Sequence, residues 1–421
     1  MKKYFIELAK KSKFLRTLFK SLLNSFRTLR YKLNGIGKKV DKKTIIFASF
    51  DGQKYVDSPK ALYEYLLSDK TYKDYKFIWV FKEPEKFKFL EKNHNTKIIK
   101  RHSKEYEYYL HTAKYWIFNY KILDYIIPKK NQVFVQCWHG TPLKRLGCDL
   151  KNYDSALNTV EEMKKRYKDE ANKFSYFISP TEYATGTFTT AWNLKEIGKE
   201  NIIIEEGYPR NDFLCKFTKK DVERVKKELD LPKDKKVVLY APTYRANQHT
   251  SGLGYTYKTE VDFDELRKEI GDEYVILFRA HYYVANSFDF DKYKGFIYDV
   301  SNYNEINDLY IVSDLLITDY SSVFFDYSIL KRPMIFYMYD IDHYKNESNG
   351  FYFDVEEELP GPIIRDQKEL GKAILETKKF KYDKKYKAFN EKFTYKDDGN
   401  ASKRVIEKVI ELEEDNKWKE S

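Results

Sequence analysis

The order of residue types predicts an α/β fold of two similar halves, each built on a parallel sheet. Two observations carry that expectation. Short runs of β-branched and aromatic residues recur along the chain, and each is followed by a helical stretch, the pattern of strand–helix–strand units. The alternation then restarts after Gly207-Tyr208-Pro209-Arg210. With 421 residues the chain is long enough for two such halves, at roughly 100–200 residues per domain. A content of 42% apolar and 17% aromatic residues excludes a disordered, collagen-like or low-complexity chain.

The first element is a helix. At about 100° per residue, Leu15, Leu18, Phe19, Leu22, Phe26, Leu29 and Leu33 fall on one side, and Lys13, Arg16, Lys20, Asn24 and Arg27 on the other. Residues 1–43 carry 14 Lys and Arg against Glu7 and Asp41, a net of +12 that equals the formal charge of the whole chain. The remaining residues are therefore neutral overall. A nucleic-acid binder would carry its basic patch on the folded body, so nucleic acid is not an expected partner. A basic amphipathic helix of this kind is expected to lie on an anionic membrane surface. The alternative is a helix docked on the protein with a solvated basic face. Asn34-Gly35-Ile36-Gly37 ends it. No stretch reaches the ~18 consecutive apolar residues of a spanning helix, and no uninterrupted apolar signal core is seen at the start. The expected location is thus peripheral, on the cytoplasmic face of the membrane. Cys137, Cys148 and Cys215 have neither the number nor the spacing of a disulfide framework or zinc site, which fits a reducing compartment.

Strands are expected at Thr44–Phe50, Phe77–Phe81, Tyr115–Asn119, Val133–Cys137 and Tyr176–Ser179, then at Lys236–Tyr240, Tyr274–Phe278, Gly295–Tyr298, Leu315–Thr318 and Met334–Tyr337. Helices Asp262–Ile270 and Tyr303–Val312 separate strands of the second half, residues 246–257 form a loop, and the charged segment from Asp366 onward is helical and packs across the second half. This divides the chain into a basic helix (1–40), a first Rossmann-like domain (41–207), a second (208–395) and a C-terminal helix (396–421).

Ligands of such sheets bind where strand C-termini meet helix N-termini. No P-loop, dinucleotide fingerprint or nucleophile elbow is present there. Asp262/Asp264, Asp289/Asp291 and Asp340/Asp342 have a spacing suited to a divalent ion, but a chain this rich in Asp produces such pairs by chance, so a metal is not indicated. Four clusters remain. Gln136 to Lys144 sets His139 on a turn after a strand, with Gly140 allowing close backbone approach, Thr141 able to cap a helix and Pro142 suited to its first turn. An imidazole there can accept a proton from an alcohol at neutral pH; the alternative is a structural histidine. In the second cluster, Arg279 and His281 alternate onto one side of an extended segment, where they hold phosphate oxygens or form a structural ion pair. In the third, Asp319-Tyr320-Ser321-Ser322 enters a helix, making an anion site, a cap, or both. The fourth joins Thr243 and Arg245 of Tyr240–Arg245 with Arg210 of Gly207–Asp212, each after a strand, beside a rigidifying proline.

The ordered set Trp138–Lys144, Gly207–Asp212, Tyr240–Arg245, Arg279–His281, Asp299–Tyr310 and Ser313–Asp326 resembles the CDP-glycerol glycerophosphotransferase family, the teichoic acid primases and polymerases of the TagB and TagF type. The resemblance runs from about Gln136 to Pro362. It implies a GT-B fold, two Rossmann-like domains facing a cleft, and transfer of glycerol phosphate from CDP-glycerol to a hydroxyl on an undecaprenyl-diphosphate-linked disaccharide or polymer, with release of CMP. It further implies that His139 and His281 are catalytic and that Arg279, Ser301, Asp319, Ser321 and Ser322 lie around the nucleotide and its phosphates; Lys144, Arg210, Thr243 and Arg245 are further expected to bind substrate, no cofactor is expected with certainty, and a divalent metal is possible but not indicated. CDP-ribitol as donor, and a nucleotide-sugar glycosyltransferase on the same fold, are the competing expectations. The short N-terminal extension favours a primase or short-chain transferase over a longer polymerase.

Overall fold

The computed structural model describes residues 13–151, 159–243, 260–279, 288–342 and 350–411, with side chains from residue 21 onward. The chain packs as two compact units. One comprises residues up to Tyr55 with Tyr63–Trp138 and Lys168–Phe177, and the other Val56–Leu62, His139–Tyr167 and Ile178 onward.

The first sheet contains β1 (Asp41–Ala48), β2 (Lys76–Phe81), β3 (Thr96–Lys100), β4 (Ala113–Phe118), β5 (Val133–Gln136), β6 (Tyr176–Ser179) and β7 (Ile203–Glu205), in the order β3-β2-β1-β4-β5-β6-β7. The second contains β8 (Lys236–Ala241), β9 (Tyr274–Phe278), β10 (Ile297–Asp299), β11 (Leu315–Thr318), β12 (Met334–Tyr337) and β13 (Ile363–Ile364), in the order β10-β9-β8-β11-β12-β13. Their ladders are parallel. Both sheets run outward from their first strand, then back to its other side, the doubly wound order of dinucleotide-binding folds. The α/β expectation holds.

Ten of the expected strands form with small shifts at their ends. Three were not anticipated: β3, β7 and β13, which lie at or beside sheet edges and are two to five residues long. Strands this short offer too little periodicity to read. Alternation shows why the second sheet is parallel and buried on both faces. Val237, Leu239, Val275, Leu277, Leu316 and Phe336 belong to the core on one face, whereas Val238, Tyr240, Ile276, Phe278, Ile317 and Ile335 belong to that on the other. Tyr386, Phe389 and Phe393, from the helix Lys384–Phe393, join the first of these cores, so the segment after Asp366 does pack on the second sheet. The expected loop 246–257 lies outside the described residues.

The N-terminal helix spans Lys13–Asn34. It docks by Tyr31, whose ring lies 4.2 Å from that of His111 and which is 3% exposed. Asn34 donates to Glu107 at 2.7 Å, and Lys129 Nζ donates to the carbonyls of Gly35 and Lys38 just beyond the helix. Leu22, Phe26, Leu29 and Leu33, all on the apolar side read from the sequence, are 56–66% exposed. Over residues 22–33 the helix therefore turns these apolar side chains to solvent, while Arg27 and Arg30 are exposed as well and Tyr31 docks it on the protein. No described helix is long and apolar enough to cross a membrane.

Candidate active site

His139 is the third residue after β5, on a turn that Trp138 enters at φ +50, the left-handed region that side chains rarely adopt. Gln136 Oε1 accepts the Trp138 N–H at 3.0 Å, and the Cys137 N–H donates to the Phe118 carbonyl at 2.7 Å. The local strain is thus held by hydrogen bonds on both sides. Cys137 is buried, while His139 is exposed.

The helix expected after Gly140 does not form. Residues 143–146 instead pair with another segment: Lys144 bridges Phe351, the Arg145 N–H donates to the Gly350 carbonyl, and the Tyr352 N–H to the Leu143 carbonyl. Tyr183 hydroxyl donates to the Pro142 carbonyl at 2.7 Å, and Tyr352 hydroxyl to Asp149 at 2.7 Å. These long-range bonds take the backbone groups a helix would have used. One consequence is that Lys144 Nζ lies 6.0 Å from the centre of the Tyr320 ring, which stacks on Phe351.

Gly140 lies against Ser322. A Cβ at Gly140 would sit 2.8 Å from Ser322 Oγ, closer than any side chain tolerates. The His139 turn, Lys144 and the Tyr320–Ser322 segment are thereby gathered into one place, although Gly140 and Ser322 are 182 positions apart in sequence. The helix that follows is Val323–Ser328, and Ser322 stands at its N-cap without making a side-chain cap bond. Its hydroxyl belongs to the contact with Gly140, which corrects the expectation of a capping serine there.

At the point where the second sheet reverses direction, between β8 and β11, Thr243 and Asp319 meet. Asp319 accepts from the Thr243 hydroxyl at 2.6 Å, from its N–H at 2.9 Å and from the Tyr320 N–H at 2.6 Å. Asp319 is 3% exposed. Its carboxylate joins two strand ends and sets the backbone leading to Ser321. Arg279, one strand over, donates from Nη1 to the carbonyls of Val300 and Tyr303 at 3.1 and 2.8 Å. Burial works against its charge, with Tyr310 and Glu305 favouring it, yet a guanidinium stays protonated in proteins. By taking the Tyr303 carbonyl it also ends the loop that delays the expected helix to Ile306–Val312. The Ser301 N–H in that loop donates to Asp299 at 2.9 Å. Arg245 and His281 lie outside the described residues.

Arg210 is a correction. Its guanidinium was expected to bind substrate, but it is buried and donates from Nε and Nη2 to both oxygens of Asp326 at 3.0 Å, with Asp57 at 3.6 Å from Nη1. Burial alone would lower its pKa, but Asp326 and then Asp57 hold it well above the usual arginine value. Asn307 Nδ2 donates to the Arg210 carbonyl at 2.6 Å. The residue is buried and held by two carboxylates, and its Nη1 makes no hydrogen bond among the described residues. Asp57, at φ +67 on the first turn of the helix Asp57–Ser68, escaped the sequence reading. Its Asp-Ser-Pro sequence, a polar cap followed by proline, was the available signal. The paired aspartates are otherwise engaged: Asp262 caps Phe263–Ile270, Asp264 pairs with Lys292, and Asp340 accepts from Tyr320 hydroxyl at 3.0 Å. No group of three metal-ligating side chains occurs among the described residues.

Residues 29–411 match the family model described as CDP-Glycerol:Poly(glycerophosphate) glycerophosphotransferase. The chain belongs to this family. It is 38% identical over 401 residues to a teichoic acid poly(glycerol phosphate) polymerase of Bacillus spizizenii, covering 95% of this chain and 100% of that one. It is also 38% identical to the polymerase of that name from Bacillus subtilis, where it spans 98% of itself and 55% of the relative. A structure of the wall teichoic acid polymerase TagF with CDPG superposes with a TM-score of 0.83 at 39% identity, over 95% of this chain and 98% of that one. The GT-B class expected from the motifs is thus the fold of this chain. A family member with this fold is a transferase of teichoic acid synthesis.

Proposed function

We propose that the protein transfers glycerol phosphate from CDP-glycerol to a hydroxyl on an undecaprenyl-diphosphate-linked acceptor and releases CMP, with His139 as the base. The observation that supports the reading is the contact of Gly140 with Ser322, which brings the turn carrying the exposed His139 against the segment of Ser321 and Ser322. In the reaction the acceptor oxygen forms a bond to the glycerol-bearing phosphorus, the bond from that phosphorus to the bridging oxygen breaks, and the acceptor proton passes to His139. CMP departs with that oxygen as a phosphate, a weak base that needs no strong acid. Lys144, Ser321 and Ser322 are assigned to the diphosphate, where fixed cations and dipoles absorb the charge moving onto CMP. Thr243, Asp319 and Arg279 are assigned to shaping the nucleotide end. The motif resemblance assigns His281 as the second catalytic residue and Arg245 as a further phosphate contact.

Purified protein incubated with CDP-glycerol and a lipid-linked disaccharide tests this directly, by CMP release and by the size of the product. Glycerol-phosphate addition without CMP release, or no addition with an intact fold, overturns the reading. Competition with CDP-ribitol tests the donor. Product length is the measurement that separates a primase from a polymerase, because relatives named polymerase are matched both over their whole length and over about half of it.

A membrane-surface location on the cytoplasmic side belongs to the same proposal. Its support is the outward row Leu22, Phe26, Leu29 and Leu33 on a basic helix. Substituting Leu22, Phe26 and Leu29 by Gln removes apolar area already in solvent, so folding is unaffected while sedimentation with anionic vesicles is lost. Retained sedimentation would assign anchoring to another surface.

A further inference from the structure

The N-terminal helix does more than present an apolar face. Between it and the helix Lys104–Thr112 lies a pocket of about 490 Å³, formed entirely by residues of the first compact unit. Arg27 and Arg30 line it, both exposed, and neither makes an ion pair among the described residues. Among the described residues the one carboxylate in its wall, Glu107, accepts from Asn34 Nδ2 at 2.7 Å. Tyr31 lines the inner side; its buried hydroxyl has no hydrogen-bond partner among the described residues. Burial pushes that phenol well above its ordinary value, so it remains an O–H donor at any physiological pH.

Beside polar groups such as His102 and Ser103, part of the rim is apolar. Leu23, Phe26 and Leu123 line the same pocket and are 47%, 66% and 37% exposed, and they continue into the row Leu22, Leu29 and Leu33. Two guanidiniums with no ion pair among the described residues, over a cavity bordered by exposed hydrocarbon, complement an anion that carries hydrocarbon. A water-soluble anion would gain nothing from the apolar border, and an uncharged acyl chain nothing from the arginines.

We infer that the pocket bounded by Arg27, Arg30 and Tyr31 holds the phosphate head group of an anionic membrane lipid while its acyl chains lie along Leu23, Phe26 and Leu123. This rests on the membrane-surface reading above and deepens it: binding is to one lipid molecule at one place, in addition to general attraction of a basic helix to a charged surface. The arginines bind the phosphate oxygens. The Tyr31 hydroxyl, buried at the cost of a lost hydrogen bond to water, gains a partner when the site fills.

The test uses the full chain and a short-chain lipid below its micelle concentration. Dihexanoyl phosphatidylglycerol is expected to bind saturably at one site, at least ~10-fold tighter than dihexanoyl phosphatidylcholine or inorganic phosphate, since each cation near a lipid phosphate contributes a factor of several. Arg27→Gln with Arg30→Gln should lose about that same factor. The charge-matched control Lys32→Gln with Lys39→Gln, which leaves the pocket untouched, should keep it. Tyr31→Phe should fold at least as stably as the parent, having lost an unsatisfied polar atom, yet bind the monomeric lipid more weakly. Equal binding of the two lipids, equal binding of inorganic phosphate, or equal losses in the pocket and control variants overturns the site. The outcome is separable from the membrane reading: sedimentation with anionic vesicles but no saturable binding of monomeric lipid sinks the pocket alone, whereas failure to sediment sinks both.

Discussion

Arg210 and Asp326 form a two-point ion pair, Nε and Nη2 each 3.0 Å from a carboxylate oxygen, in a part of the protein where both are at most 7% exposed. Asp57 closes the other side of the guanidinium at 3.6 Å, and Arg210 lies over the ring of Tyr208 at 4.1 Å. The arrangement has a direct thermodynamic consequence. Arg210→Met leaves two carboxylates facing each other without a cation, a loss expected to cost about 3–5 kcal/mol. Urea denaturation checks it. Adding Asp326→Asn to that variant should restore part of the stability, because one of the two orphaned charges is removed.

The exposed His139 permits a cleaner separation of chemistry from folding. His139→Ala should leave the melting temperature within the range of a surface substitution and lower turnover by ~10²–10⁴. Donor affinity should change little, since a general base acts on the acceptor. Single-turnover CMP release alongside CDP-glycerol binding makes the measurement. Unchanged turnover removes His139 from the reaction.

Gly140 and Ser322 are coupled by distance. Gly140→Ala places a methyl group 2.8 Å from Ser322 Oγ and forces one segment aside, at an expected cost of about 1–3 kcal/mol and a fall in turnover. Ser322→Gly in the same chain removes the obstructing atoms. The double variant should therefore regain stability relative to Gly140→Ala, which a double-mutant cycle measures. Additive losses would show that the two segments do not press on each other.

Stability should also respond to mild acid through His111. Burial, reinforced by Lys38 and Lys129, lowers its pKa from 6.5 to about 4. The unfolded chain therefore binds a proton between about pH 6.5 and pH 4 that the folded chain refuses, so stability falls as pH falls through that window and is flat above it, by up to about 3 kcal/mol. His111 packs on Tyr31 and lies against Gly35, so protonation loosens the docked end of the N-terminal helix. Denaturation of His111→Asn at pH 7 and pH 4.5 should show a shallower pH dependence than the parent. An identical dependence refutes the assignment.

Much of the protein was legible in its sequence because the signals are local. Strands such as Tyr274–Phe278 and Leu315–Thr318 announce themselves by a run of β-formers, and their doubly buried faces require helices on both sides. The α/β class and the apolar row of the first helix follow from residue type and spacing, and the family from its ordered motifs, whereas the outward direction of that row is seen only in the fold. What tertiary structure decided are the places where distant segments compete for the same backbone or charge. Pro142 and Thr141 have every local reason to start a helix, yet the backbone that would continue it, the Leu143 carbonyl and the Arg145 N–H, pairs with Gly350–Tyr352. Arg210 has the chemistry to grip a phosphate, yet the fold buries it against Asp326 and Asp57. Local preference is worth a few tenths of a kcal/mol per residue, whereas a buried charge or backbone group left unpaired costs several, so the long-range partner prevails wherever the two conflict.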